Sequence, residues 1–460
     1  MGGGSRPHEA ISPLYAGRKE DFSSMDPYFL WEKGQKRFFQ LPESWRVLHN
    51  VVTESEKAGK TICQRVNESI AHPIGTLPLK DMIKPTDKVV IVVDDLSRPT
   101  PKKEILTSLI DHLENIGMSH NQIDVLFGVG SHRPLSEAET EKAVGKKLLE
   151  KIRCTNHNCK SDGLVSIGRL KTGGEIKVNP LLIEANFRIS IGSILPHPFC
   201  GFGGGGKSIL PGVSGYETIR EHHLTYSFAG GSFIGNVKNN RFYEEICEAA
   251  RLANLNFIIN AVYNSKGEVK EIISGHFREA HRFGIEQSAR ELSVNIDQDA
   301  DVTIVSAFPH EEGPQVLKPL GMATMVTQKG GTVILVASVK GGIPETFLQT
   351  FDIAYHMAKG NPRNLALEYI RDHKLIIENA QLDFNEALKL TLLCSNRVNV
   401  IMVSEDVSSN EAARLGFRHS RSLDEAVKRL HKNVPEAAVN IFSAGGLAVP
   451  VLKRDFSLLQ

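Results

Sequence analysis

"DKVVIVVDDLSRPTPKKEILTSLIDHLENIG", residues 87–117, decides the fold class. Its first third is a β-branched run with no polar break, the pattern of a strand buried on both faces. A Pro-flanked turn follows. An amphipathic helix is then predicted over 101–117, closed by Gly117. Thr100 reads as its N-cap, with Pro101 at the first helical position. A buried strand feeding directly into a covering helix is the unit of a parallel sheet.

The unit recurs outward from there. "IDVLFGVG" (123–130) is a second strand, and Ser136 with Glu139 forms a capping box at the next helix start. "ANFRISIGSIL" (185–195) is a third strand. "FYEEICEAARLANLNFIINAVYN" (242–264) reads as helix, then strand. After a helical link near 277–292, strands are expected at 301–309, 331–338, 398–406 and 438–444, with helices between. The expected architecture is α/β in two domains, each a mainly parallel sheet flanked by helices, with the active site in the cleft between them. Residues 1–285 form the N-terminal domain and 295–440 the C-terminal one. Residues 441–460 are a final segment that returns towards the first domain. The first ~25 residues are read as an arm.

At 460 residues the chain is long enough for such a division. Its net charge of +1 gives no field that favours nucleic acid or an anionic membrane. Six cysteines in a chain this long make no disulfide framework and suit a reducing compartment. No apolar run approaches the length of a membrane span, and "MGGGSRPHEA" lacks the apolar stretch of a leader. These features place the chain in the cytoplasm.

Residues 201–208, GFGGGGKS, match the P-loop pattern to the letter. A P-loop runs straight into a long helix whose N-terminus holds phosphates. Here Pro211 and Gly212 would break a helix within one turn. Pro196, His197 and Pro198 separate the preceding strand from the first glycine. The ATPase signature is therefore read as coincidental. Its physical content is kept: Gly203, Gly204, Gly205 and Gly206 would let backbone N–H groups approach an anion, with Lys207 at the rim.

Two further strand-end loops carry chemistry. "DDLSRPTP" (94–101) places Arg98 just before a helix N-terminus, suited to a phosphate or carboxylate. "GVGSHRPLS" (128–136) presents His132 and Arg133. Ligands of open α/β sheets bind beyond the carboxyl ends of strands, so these loops and the His197–Lys207 loop could meet at one crevice. A lone histidine is more often structural. Two, each in a Pro-flanked strand-end loop, tilt the balance to a site. His222 and His223 are adjacent on an expected helix, their directions about 100° apart, so one could face the site and the other solvent. "CTNHNC" (154–159) lacks the spacing of a zinc site and is read as structural.

Taken in order, "DDLSRPTP", "GSHRP", "PHPFCGFGGGGKSILPG", the following "EHH" and "GPQVLK" (313–318) resemble the lactate racemase family of nickel-pincer proteins, over roughly residues 40–455. The resemblance implies a nickel-pincer nucleotide, a pyridinium mononucleotide with two sulfur-containing arms. Nickel is then held by a ring carbon, two sulfurs and one histidine. It also implies that Lys207 is the covalent tether and His223 the nickel ligand. His132 and His197 would be the acid/base pair, Asp95 and Arg98 would lie near the nucleotide phosphate, and Gln315 and Lys318 near the substrate. The implied activity is racemisation or epimerisation at C2 of a 2-hydroxy acid by hydride transfer, in an enzyme loaded by cofactor biosynthesis proteins.

The departures concern substrate. In the lactate enzymes a tyrosine precedes the glutamine and a tryptophan lines the second domain. Here Pro314 precedes Gln315, and the only tryptophans are Trp31 and Trp45. Leu96 follows Asp95 where a basic residue is expected. His310, Glu311 and Glu312 would suit extra substrate hydroxyls, as in an aldonic acid, or form a solvated loop. Two other classes stay open: a P-loop-like nucleotide hydrolase and a non-catalytic relative that carries the cofactor.

Overall fold

A computed structural model of the chain describes residues 28–52, 59–454, 456 and 458–459. The expected N-terminal arm lies outside the described residues. Two six-stranded sheets organise the molecule.

In the first sheet the strand order is Val269–Gly275, Phe257–Tyr263, Phe187–Ile194, Val89–Asp94, Ile123–Gly128, Arg153–Asn156. All neighbours are parallel except the edge strand Val269–Gly275, which runs antiparallel to Phe257–Tyr263. The second sheet is parallel throughout, in the order Arg418–Ser420, Asn399–Val403, Thr327–Val336, Ala300–Ser306, Ala437–Phe442, Trp45–Val51. Helices cover both sheets.

The strand run read first is buried along its whole length: Val89 to Val93 are each at most 1% exposed. Full burial of each such side chain stabilises by roughly 1.5–3 kcal/mol. Its helix covers Lys102–Asn115 and stops at Gly117, which adopts φ +97°. The capping box at Ser136 and Glu139 is present.

Thr100, expected as an N-cap, is not one. Pro101 occupies that position without a side-chain cap, and the Thr100 hydroxyl instead donates to Asp94 Oδ2 at 2.5 Å.

Trp45–Val51 sits at the edge of the second sheet although it precedes every strand of the first. Near the other terminus, Val449–Leu452 pairs with Ser293–Ile296, while Ala444, Leu447 and Val449 pack into the first sheet's core. Among the described residues no helix is long and apolar enough to cross a membrane.

The topology fixes where a ligand can bind. The first sheet winds outward in both directions from the adjacent strands Val89–Asp94 and Phe187–Ile194. Their carboxyl ends form a switch point, and the loops leaving them begin at Asp94 and Leu195. The second sheet switches between Ala300–Ser306 and Ala437–Phe442. The loop leaving Ser306 leads to the short helical turn Gly313–Leu317 and the helix Lys318–Met325.

Candidate active site

One cavity collects the loops of both sheets. Asp95, Arg98, His132, His197, Gly204, Gly205, Lys207, His223, Gln315 and Lys318 all line it. Gly203 and Gly206 do not.

The loop after Val89–Asp94 separates two neighbouring aspartates by role. Asp94 turns back: it accepts from Thr100, and Lys102 Nζ lies 3.2 Å from its other oxygen. The Lys102 ammonium also donates to Arg98 O at 2.9 Å, and Tyr263 donates to Pro99 O at 2.9 Å. Together these contacts fix the loop; both aspartates border the cavity, and Asp95 is the one left to bond His132. It accepts from the Ser97 N–H at 3.0 Å and from the Ser97 hydroxyl, and its Oδ2 lies 2.6 Å from His132 Nδ1. Burial pushes the Asp95 carboxyl up. The hydrogen bond and charge of His132, then Arg98 and Ser97, outweigh it and hold the group well below the usual carboxylate range. An ionised Asp95 accepts only, so His132 donates from Nδ1 and turns Nε2 away from Asp95. Arg98 contacts only the Ser97 carbonyl and hydroxyl and has no carboxylate partner among the described residues.

His197 has the opposite tautomer. Its Nδ1 accepts the N–H groups of Phe199 and Cys200 at 3.2 and 3.3 Å, so its proton sits on Nε2. Burial first, then Lys207, Lys318 and Arg98, push its pKa well below the ordinary histidine value and keep it neutral.

The glycine run has a different purpose from the one expected. It is followed by the single 3₁₀ turn Gly205–Ser208, and the next helix starts only at Tyr216. The Gly203 N–H donates to Leu195 O, and the Gly205 N–H to Asn260 Oδ1 at 2.9 Å, not into the cavity. A Cβ at Gly205 would lie 2.5 Å from the His281 ring, and one at Gly206 2.8 Å from Ala250 Cβ. These glycines let the loop lie flat on the neighbouring helices; a ligand is not what demands them. His281 secures the arrangement, donating from Nε2 to Gly203 O at 2.8 Å while Tyr243 donates to its Nδ1 at 3.2 Å.

Lys207 projects from this turn half-buried, and no carboxylate lies within ion-pair distance among the described residues. Burial pushes its amine down to about 8, with Arg98 adding to the effect and Cys200 and Asp95 opposing it.

Of the adjacent histidines, His223 lines the cavity and His222 does not. His222 does not face solvent either: it is 0% exposed, donates from Nε2 to Phe242 O at 3.0 Å and packs on the Phe242 ring at 4.3 Å. The helix covers the first sheet's core, so both of its adjacent positions point inward. His223 Nδ1 donates to Ile219 O at 2.9 Å, which leaves Nε2 unprotonated. Burial, then His222 and Lys207, hold His223 neutral. That is the state of a metal-binding imidazole. Phe242, which sequence reasoning missed, also lies 4.9 Å from His223 and 6.4 Å from His197.

From the second sheet come Gln315 and Lys318, and a third element that was not anticipated. Helix Leu382–Arg397 presents Asp383 and Glu386 to the cavity. Buried oxygens of Gln315, Asp383 and Glu386 have no hydrogen-bond partner. Lys318 is pushed far down by burial and by the neighbouring charges of Arg98 and Lys207, with Asp95 and Asp383 opposing. His310, Glu311 and Glu312 do not line the cavity. Glu311 is taken by the Lys33 N–H and by Lys340, each at 2.8 Å. The "CTNHNC" segment is structural: His157 is buried and shared between Ser214 O and Asn179. Among the described residues no group of three or more His, Cys, Asp or Glu could hold a metal unaided.

Residues 33–234 match the lactate racemase N-terminal domain family. Lactate racemase of Lactiplantibacillus plantarum is 27% identical over 441 residues, 89% of this chain and 99% of the relative. That of Thermoanaerobacterium thermosaccharolyticum is 31% identical over 283 residues, 60% of this chain and 66% of the relative. The structure of the lactate racemase apoprotein from the latter organism superposes with a TM-score of 0.81 at 25% identity, covering 93% of this chain and all of the other. With the strand-end loops gathered at one cavity and the similarity running nearly end to end, the chain belongs to the lactate racemase family and is an isomerase.

Proposed function

We propose that the chain inverts C2 of a 2-hydroxy acid, using a nickel-pincer nucleotide tethered to Lys207. The observation that carries this reading is the pair of histidines held at Nδ1 in opposite senses, His132 donating to a carboxylate and His197 accepting from backbone N–H groups, over a single cavity shared with Arg98, Lys207 and Lys318.

The residues present fit the implied group. His223 offers an unprotonated Nε2 to nickel. Lys207 offers an amine with a lowered pKa. Arg98, without a carboxylate partner, suits the nucleotide phosphate beside Asp95. The backbone of Gly204 and Gly205 borders the same cavity. When bound, the group supplies a hydride acceptor for the C2 hydrogen, which spares the enzyme from deprotonating a weak carbon acid.

The chain's own residues do the rest. Lys318, with Gln315 beside it, holds the substrate carboxylate. His132 Nε2 removes the hydroxyl proton, and His197 Nε2–H holds the oxygen as it becomes a carbonyl. On delivery to the opposite face the oxygen takes its proton from His197 Nε2–H, and the proton held on His132 is released through solvent to restore His197, so the proton count closes. We divide the chain near residues 285–295 as part of the same proposal, each half contributing one sheet and one wall. Loading by cofactor biosynthesis proteins in the cytoplasm belongs to it too; six free thiols suit that compartment.

The lining holds Phe199 but no tyrosine or tryptophan, which supports a longer or polyhydroxy acid, such as an aldonic acid, over lactate. The test incubates candidate acids with loaded protein in D₂O and follows C2 by NMR. A hydride route keeps the C2 hydrogen in the same molecule while the configuration inverts. Rapid deuterium incorporation at C2 would exclude it.

His223→Ala is expected to lose nickel almost completely. His222→Ala is expected to lower the melting temperature, because it opens a core gap and strands Phe242 O, yet to retain nickel in the folded fraction. Metal analysis beside thermal melts checks both, and equal nickel loss would contradict the assignment.

A further inference from the structure

Helix Leu382–Arg397 forms the cavity wall that faces the first sheet's loops. Asp383, Glu386, Ala387 and Leu390 line it. Their spacing is that of one helix face. The face is polar at one end and apolar at the other.

The polar end is built from acceptors that the protein does not use. Glu386 is only 5% exposed; Lys389 approaches one of its oxygens at 3.4 Å, and the other, with the Ser227 hydroxyl in its neighbourhood, forms no hydrogen bond. Asp383 Oδ1 and Gln315 Oε1 are likewise buried and unpartnered. Buried polar atoms in native proteins are almost always satisfied, so three such oxygens on one cavity wall point to donors that arrive with a ligand. All three residues line the cavity that also holds His132, His197 and Lys318.

We propose that Asp383 and Glu386, with Gln315, read hydroxyl groups on the substrate chain beyond C2, and so select polyhydroxylated 2-hydroxy acids. This rests on the function proposed above and supplies its specificity residues.

The chemistry excludes the alternatives. An apolar chain would leave all three acceptors unmet in a desolvated site, and sites built to bond a hydroxyl reject analogues that lack it by large factors. A second substrate carboxylate would face Asp383 at like charge. A hydroxyl donates to a carboxylate without that conflict.

The test compares gluconate with 2-hydroxyhexanoate, the same chain without the outer hydroxyls. Calorimetric titration of the full chain, with and without cofactor, measures binding independently of turnover. Wild type is expected to bind gluconate on the order of 100-fold tighter. Asp383→Ala is expected to shrink that ratio about tenfold or more. Glu386→Leu alone would strand the buried Lys389 ammonium, so the second variant is the double substitution Glu386→Leu/Lys389→Met, which removes both charges together. It should shrink the ratio similarly. A ratio unchanged in both variants, or a wild-type preference for 2-hydroxyhexanoate, overturns the inference. Retention of the binding ratio with no C2 inversion of any acid would instead overturn the racemase reading and leave this one standing.

Discussion

Lys207→Ala, produced beside the cofactor biosynthesis enzymes, is expected to carry no covalent mass increment, while wild type carries the full one. The structure gives the reason. The amine sits half-buried on a rigid turn, and burial brings its pKa down to about 8. At neutral pH the neutral, nucleophilic fraction is then roughly 300-fold larger than for an ordinary lysine near 10.5. Attachment should accordingly rise with pH through about 8 and level off above it. Lys207→Arg keeps a charge but offers no neutral amine, so it should also fail. Neither loss reflects unfolding. The folded state binds the Lys207 proton less tightly than the unfolded state does, so this lysine lowers stability below pH 8, and the penalty is relieved as pH rises from about 8 towards 10.5. Lys207→Ala should therefore match or exceed the wild-type melting temperature at pH 7. An alanine variant that retains the increment on intact-mass analysis would disprove the tether.

Much of this site was legible because parallel sheets write themselves plainly. Val89–Asp94 and Phe187–Ile194 are buried on both faces, so their sequences are unbroken apolar runs, and the loops after them had to lie at strand ends. Edge strands did not show. Trp45–Val51 mixes Arg46, His49 and Asn50 with apolar residues because only part of it is covered, and no local signal says which sheet it joins. The glycine run was misread for a related reason. A sequence tells that a backbone approaches something closely, but not whether that thing is a ligand or the protein's own His281 and Ala250. Asp383 and Glu386 were missed because acidic residues near a helix start are ordinary on a solvated surface. Only the tertiary packing of helix Leu382–Arg397 turns them inward. For Glu311 two readings stood open, a contact to substrate hydroxyls or a solvated loop, and the structure engages it with Lys340 away from the cavity.

Asp95→Asn is expected to lower the rate of C2 inversion by about 10³–10⁴-fold, more than Asp95→Ala does. The argument is one of tautomers. Asp95 Oδ1 accepts both donors of Ser97, and Oδ2 accepts from His132 Nδ1 at 2.6 Å. An asparagine in this place keeps its carbonyl oxygen towards Ser97, whose backbone N–H can only donate. Its NH₂ then faces His132. The ring must accept at Nδ1, so its proton moves to Nε2, the atom that should remove the substrate proton. Alanine imposes no such tautomer; part of the population keeps a usable Nε2, and the loss should stay within about 10²-fold. Stability should follow the same charge. The folded pKa of Asp95 lies below the ordinary value of 3.8, so its contribution is present at neutral pH and is lost as pH falls below about 4. In Asp95→Asn that acid-side loss should be reduced. The decisive comparison adds His132→Ala. If Asp95 acts through His132, Asp95→Asn should slow a His132→Ala enzyme no further, although it slows wild type severely. Chiral analysis of the product acid over time gives all four rates. Additive losses, or an asparagine milder than alanine, would show that Asp95 works directly on the cofactor or substrate and that His132 is not the group it orients.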